Sequence, residues 1–324
     1  MPTPPRWSEG FAPEPERGTG LDARMHGELA ASLAHMAEAS EAAARELSTR
    51  LAALARSIAE GRRVRPLGFH AYFHLVARLA AQDLEGAAAE LGRIEALADR
   101  PPGRRITHFG APEADQLSLS LIEDGMRLAP LSAPEADAFA ALLDEGFALM
   151  QAGLPDLHAE LTGIIHEVLL ARAPQGDRIE FDGASHYQFW GLLLLNPRHH
   201  RTPLAVVEVL AHEASHALLF GMTVEEPLVL NPDDELYPSP LRIDPRPMDG
   251  IYHATYVSAR MAWAMERLAD SGLLSEADRT AALAAARSDR SNHASGQQVI
   301  DAHGRLSPTG RRILESARSW MASA

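Results

Sequence analysis

The densest chemistry in the chain lies in Leu210-Ala211-His212-Glu213-Ala214-Ser215-His216. On a helix, imidazoles four residues apart share one face, where both can ligate one ion. Glu213, next to the first, can lean toward a water or substrate on that ion. The plain alternative is a pair of core histidines that happen to fall at helical spacing. Val206, Val207, Val209 and Leu210 make this helix deeply apolar, however. Three ionisable groups there are costly without a partner, and a metal supplies one.

An ion used for chemistry needs a third protein ligand and open positions. A metzincin places glycine three and histidine six residues past the second histidine, where this chain has Leu219 and Met222. A gluzincin offers a glutamate from a following helix. Glu225 and Glu226 are close in sequence but fall after the expected helix stop, in a loop leading to Pro227. His253, at the start of a helix expected to run to about Asp270, is the preferred third ligand, with the glutamates still open. His70 and His74 repeat the four-residue spacing, but no acid lies between them and their neighbours are aromatic, so they read as a packed face. The adjacent His199 and His200 read as an exposed turn.

The elements that must hold these groups follow from periodicity. Residues 1 to 20 contain five prolines and read as a flexible tail. Apolar residues recur every three or four positions through 22 to 60 and 64 to 99, and helices are expected again at 134 to 151 and 155 to 172. Thr202-Pro203 is a helix start for the motif segment, with Gly221 as its stop. Between these regions, Arg178 to Phe181 and Tyr187 to Leu195 read as strands of a small sheet. The expected architecture is α+β, mainly helical: a helical region at 21–175 followed by a zincin-like catalytic region at 176–324, which could form one continuous domain with it.

Composition bounds the partners. The 324 residues, 46% hydrophobic and 23% charged, suit an ordinary folded protein. A formal charge of -14 opposes nucleic acid and anionic membrane surfaces. The absence of cysteine removes disulfides, thiolate metal sites and a thiol nucleophile. No run of 18 apolar residues occurs and the first residues are unlike a signal peptide, so a cytoplasmic location is expected.

From Gly191 onward the chain resembles the HEXXH-motif 2-oxoglutarate-dependent peptide β-hydroxylases found with ribosomally made, modified peptides. The resemblance rests on GLLLLNP at 191 to 197, LAHEASHALL at 210 to 219, SPLRIDPRP at 239 to 247, GIYHATYVSAR at 250 to 260 and LSPTGRRILE at 306 to 315. It implies a non-haem Fe(II) centre with His212, His216 and His253 as ligands, and 2-oxoglutarate and dioxygen at the open positions. Because the common oxygenase triad contains a carboxylate, Asp249, Glu225 and Glu226 stand as substitutes.

The distal carboxylate of 2-oxoglutarate calls for an arginine fork. Arg260, two helical turns from His253 and about 10 Å along the axis, is the first candidate; Arg246 and Arg242 follow. Glu213 would orient a ligand or substrate in an oxygenase. In the alternative, a zinc metallopeptidase, it would be the general base. The expected substrate is a ribosomal precursor peptide; the strand at 187 to 195 is either the edge along which it is laid or an ordinary core strand with no free edge. The segment Val224 to Asp249 is either a lid or a connection. A third reading is a non-catalytic protein whose metal pins two helices.

Overall fold

The computed structural model describes residues 10–42, 44–176, 181–239 and 244–323. Eleven α-helices accompany a small mixed sheet among these residues, the mainly helical α+β class expected from the sequence. In chain order the helices begin with α1 (Pro15–Ser40), α2 (Arg45–Ala59), α3 (Pro66–Ala80) and α4 (Leu84–Leu97). Proline opens α3 at a position where its missing N–H costs nothing, and the Asp83 carboxylate caps α4 by accepting from Gly86 N at 2.9 Å. After strand β1 (Arg105–His108) come α5 (Asp115–Glu123), α6 (Ala133–Gly153) and α7 (Pro155–Ile164), then strands β2 (Glu167–Leu170), β3 (Gly183–Ala184) and β4 (Leu192–Leu195). The last part holds α8 (Pro203–Met222), the short ribbon β5 (Leu236–Tyr237) and β6 (Arg246–Pro247), then α9 (Met248–Asp270), α10 (Glu276–His303) and α11 (Pro308–Ser323).

The chain divides into two interleaved units, not at a boundary near 175. One comprises 1–20, 137–163 and 197–324; the other comprises 21–136 and 164–196. The second unit carries the sheet, ordered β1-β2-β4-β3, with β1, β2 and β4 parallel and β3 antiparallel to β4. Every residue of β2 and β4 is buried, as the unbroken apolar runs require of strands covered on both faces. Its polar centre is Asp22, whose carboxylate accepts from both Arg100 terminal nitrogens (3.2 and 2.8 Å), Trp190 Nε1 (3.0 Å) and the His166 ring (3.1 Å). Burial raises this carboxyl, but the bonds from His166 and Arg100 outweigh it and hold the group far below the usual carboxylate range.

Three expectations are corrected. Residues 10–20 are no tail: Phe11 and Arg17 are buried, and the Phe11 ring stacks on Trp320 at 5.3 Å. Helix α7 stops at Ile164 because the buried run that follows becomes β2; a buried strand and a buried helix look alike in an apolar run of this length. Of the strand expected over 187 to 195, only Leu192–Leu195 is extended. Gly191 sits at φ +85, where an added Cβ would come within 2.9 Å of the His166 ring, so the chain turns there and Tyr187 to Trp190 form a turn. Most of the strand expected at 178 to 181 lies outside the described residues.

Candidate metal centre

Helix α8 begins as its sequence dictates. Thr202 Oγ1 accepts from Ala205 N at 3.2 Å, Pro203 fills the first position, and 14 of the 20 helical residues are buried. The hydropathy and length of α8 would suit a membrane span, but most of it is buried within the protein. Helix α9 packs against it, and the two helices bring His212, His216 and His253 into a row.

The Nε2 atoms of His212 and His216 are 3.2 Å apart. Two ligands on one ion with metal–nitrogen bonds of about 2.1 Å sit roughly 3 Å from each other, so this pair is spaced for a shared ion. On its other side, His216 Nδ1 lies 2.9 Å from His253 Nδ1, with the two rings nearly parallel at 14°. One of these nitrogens must carry the shared proton and the other accept it. Burial lowers the pKa of His253, opposed by Asp249, so the ring is held neutral, as a ligand must be. Since one imidazole gives an ion one nitrogen, His212 and His216 form the prepared pair. His253 would have to give up its contact with His216 Nδ1 to serve as a third ligand beside them. A set of neutral imidazoles suits ferrous iron and zinc alike.

Residues outside the sequence reading fix these rings. Met261 Sδ, on α9, contacts His212 Nδ1 at 3.0 Å and so directs Nε2 toward His216. The Phe220 ring lies 5.3 Å from that of His253. Glu213 is buried, with its carboxylate 3.8 Å from His212 Nε2. One turn before His212, Glu208 is partly buried with its pKa raised by burial. It couples to Asp289 of α10, which burial and then Glu208 push up to about 8. Neither carboxyl carries a motif signal, because the pairing joins helices 81 positions apart.

The other candidates separate clearly. Asp249 Oδ2 stands 4.0 Å from His253 Nε2, close enough to act on it electrostatically. Glu226 accepts from Thr309 N at 2.9 Å, which caps α11 and holds this carboxyl below its usual pKa; Glu225 is exposed. Arg260 is not placed to hold a cofactor carboxylate. It is 2% exposed; Nη2 donates to Glu160 Oε2 and Nη1 to Phe11 O (2.8 Å), with Nε at 3.4 Å from Ser215 Oγ. The two-turn spacing from His253 is real, but Glu160 occupies the fork. Arg246 pairs with Asp244 at 2.9 Å while its Nε is buried without a hydrogen-bond partner, so it retains donor capacity for an anion. Arg242 lies outside the described residues.

The expected peptide edge also fails. Strand β4 is paired with β2 along its length and with β3 at Leu194 and Leu195, so at most Leu192 and Leu193 are left uncovered, too short a stretch to add a substrate strand. The start of the segment after α8 is anchored: Leu230 N donates to Arg305 O at 2.7 Å and Ser307 N to Leu228 O at 3.1 Å, while residues 240–243 of the expected lid lie outside the described residues. No family model matches the sequence, and no curated protein matches it.

Proposed function

We propose that the chain is an Fe(II)/2-oxoglutarate-dependent oxygenase that hydroxylates a side-chain β-carbon of a residue in a ribosomal peptide. The observation that carries the reading is the row His212–His216–His253, with links of 3.2 and 2.9 Å, contributed by two packed helices. The class of reaction rests on the sequence resemblance. His212, His216 and His253 would hold the iron, and of the three candidate arginines Arg246 is the described one with an unpartnered donor for the distal carboxylate of 2-oxoglutarate. A bound ferrous ion supplies the redox chemistry that couples dioxygen to keto-acid decarboxylation.

In the balance, one oxygen atom of dioxygen enters a C–H bond of the peptide and the other enters succinate, with release of CO2. The protein's own part is to keep the His253 imidazole neutral, aim His212 through Met261 and exclude water with Phe220 and the apolar faces of α8 and α9. Such an enzyme would work in the cytoplasm, where ribosomal peptides are made.

One observation favours a second reading. The buried Glu213 carboxylate, 3.8 Å from a ligating nitrogen, is placed as the base of a zinc peptidase would be. Anaerobic loading with Fe(II) and 2-oxoglutarate decides between them. The oxygenase reading expects a visible charge-transfer band, then succinate release on adding air. A colourless complex and no succinate, with zinc-dependent peptide cleavage that is lost in Glu213→Gln, would establish the peptidase instead.

A further inference from the structure

The sheet-bearing unit contains a second cluster of side chains that could hold a metal. His70 and His74 lie four residues apart on α3, and Asp124 follows the last turn of α5. One ligand atom from each lies within 4.8 Å of the others. The acid that the sequence does not place between the histidines arrives from the end of another helix, beside a face that is also packed as expected.

His70 is the informative residue. It is 1% exposed, held on one side by stacking on Phe189 (4.3 Å, 16°) and on the other by the His74 ring at 4.4 Å. Neither of its ring nitrogens makes a hydrogen bond. A buried imidazole with both nitrogens unsatisfied is costly, of order 1–3 kcal/mol per group, and demands an explanation. Nε2 lies 3.0 Å from Asp124 Oδ2, yet without hydrogen-bond geometry. Two atoms at this distance whose lone pairs do not address each other are what two ligands on one ion look like.

We propose that His70, His74 and Asp124 bind a divalent transition-metal ion, independently of the α8–α9 centre. Two imidazole nitrogens and one carboxylate oxygen form a set of intermediate softness, which selects ions such as zinc, ferrous iron or cobalt over magnesium or calcium. Three protein ligands leave at least one position open. That opening lies toward solvent, since His74 is half-buried and Asp124 is at the surface. Near it stands His186, whose Nδ1 accepts from Gln188 N at 3.3 Å and whose ring packs edge-on against Phe189 at 5.4 Å. The ion would thus meet an aromatic wall on one side and water or a small anionic ligand on the other.

Cobalt(II) is the probe, because its bound forms absorb in the visible and its uptake can be counted. The full chain is titrated with cobalt and dialysed, alongside His74→Ala and Asp124→Ala. These two outer positions are chosen because His70→Ala removes a core ring. Thermal melts establish that both variants fold. The wild-type chain is expected to hold one more tightly bound equivalent than either variant, or the same equivalent roughly tenfold or more tightly, with matching loss of visible absorption. Unchanged stoichiometry and affinity in both variants overturns the site, as does a wild-type chain that takes up no cobalt. His216→Ala, assayed in parallel, should leave this equivalent in place, so failure of the α8–α9 centre is read separately.

Discussion

Replacing Glu160 with Gln removes the only carboxylate that joins two buried guanidinium groups. Its side chain is 2% exposed and accepts from Arg17 Nε at 2.6 Å, from Glu14 N at 3.1 Å and from Arg260 Nη2. Arg17 is fully buried and Arg260 nearly so; their other hydrogen bonds go to the neutral carbonyls of Gly10, Ala12 and Phe11 and to the Ser215 hydroxyl. With Glu160 neutral, the two buried positive charges are opposed by these dipoles and by the more exposed Glu14 carboxylate, 3.9 Å from Arg17 Nη1. Breaking a buried pair from one side costs about 3–5 kcal/mol, a large share of the roughly 5–15 kcal/mol that stabilises a typical protein. Urea unfolding followed by the fluorescence of Trp263 and Trp320, which belong to the same unit, should show the midpoint falling with little change in slope. Arg260→Met should cost less than Glu160→Gln, because it leaves Arg17 to neutralise the carboxylate. A Glu160→Gln protein within about 0.5 kcal/mol of wild type, at the low end of measured substitution effects, would refute the reasoning and return Arg260 to the list of anion-binding residues.

Three further outcomes are expected. Asp289, pushed up to about 8 from an ordinary 3.8, binds a proton more tightly when folded, so its contribution to stability is complete in acid and is lost as pH rises between those values. Asp289→Asn should flatten that fall in a series of melts from pH 5 to pH 8.5, and an unchanged slope would count against the buried pair with Glu208. Asp22 has the opposite sign: its carboxyl is depressed in the folded protein, so its stabilisation is present above the ordinary value and lost as pH drops below it. Asp22→Asn should therefore be destabilised at pH 7 and converge on wild type in acid; parallel curves would contradict the assigned network. Finally, a Cβ at Gly163 would lie 2.5 Å from Thr19 N and 2.8 Å from Gly18 C, both backbone atoms. Gly163→Ala should lower stability by about 1–3 kcal/mol in the same urea assay, and an unaffected midpoint would show that α1 and α7 are not so closely apposed.

The parts legible in sequence are those whose signals are local. Thr202 and Pro203 mark the start of α8, and the four-residue spacing of its histidines needs only the helical period. His253 is found by a shorter chain of reasoning, a histidine at the head of the next strong helix. What escapes is pairing across long separations. Glu160 lies 100 positions from Arg260, Asp124 lies 50 from His74, and Glu208 lies 81 from Asp289. No window of residues contains either half's partner, so Arg260 looks available when it is not, and His70 shows its packing but not the carboxylate beside it. The proline count around Arg17 misleads for the same reason: it reports poor local propensity, whereas the burial of Phe11 and Arg17 comes from residues far along the chain.

The paired Arg260 has a consequence for the candidate metal centre that a cofactor role would not have. Ser215 and His216 are adjacent, so on a helix their side chains point about 100° apart. The Arg260 guanidinium lies beside Ser215 Oγ, which also donates to Ala211 O at 2.6 Å, while His212 and His216 present Nε2 on the neighbouring face. Arg260 therefore sits behind the histidine face, where with Glu160 it ties α8 to α9 and α7. The rotation of α8 about its axis then depends on a buried charge pair, and that rotation sets where both Nε2 atoms point. A metal–nitrogen bond of about 2.1 Å tolerates little misplacement. Loss of metal affinity in Glu160→Gln would on this argument arise without any contact between Glu160 and the ion, through the pitch of one helix against its neighbours.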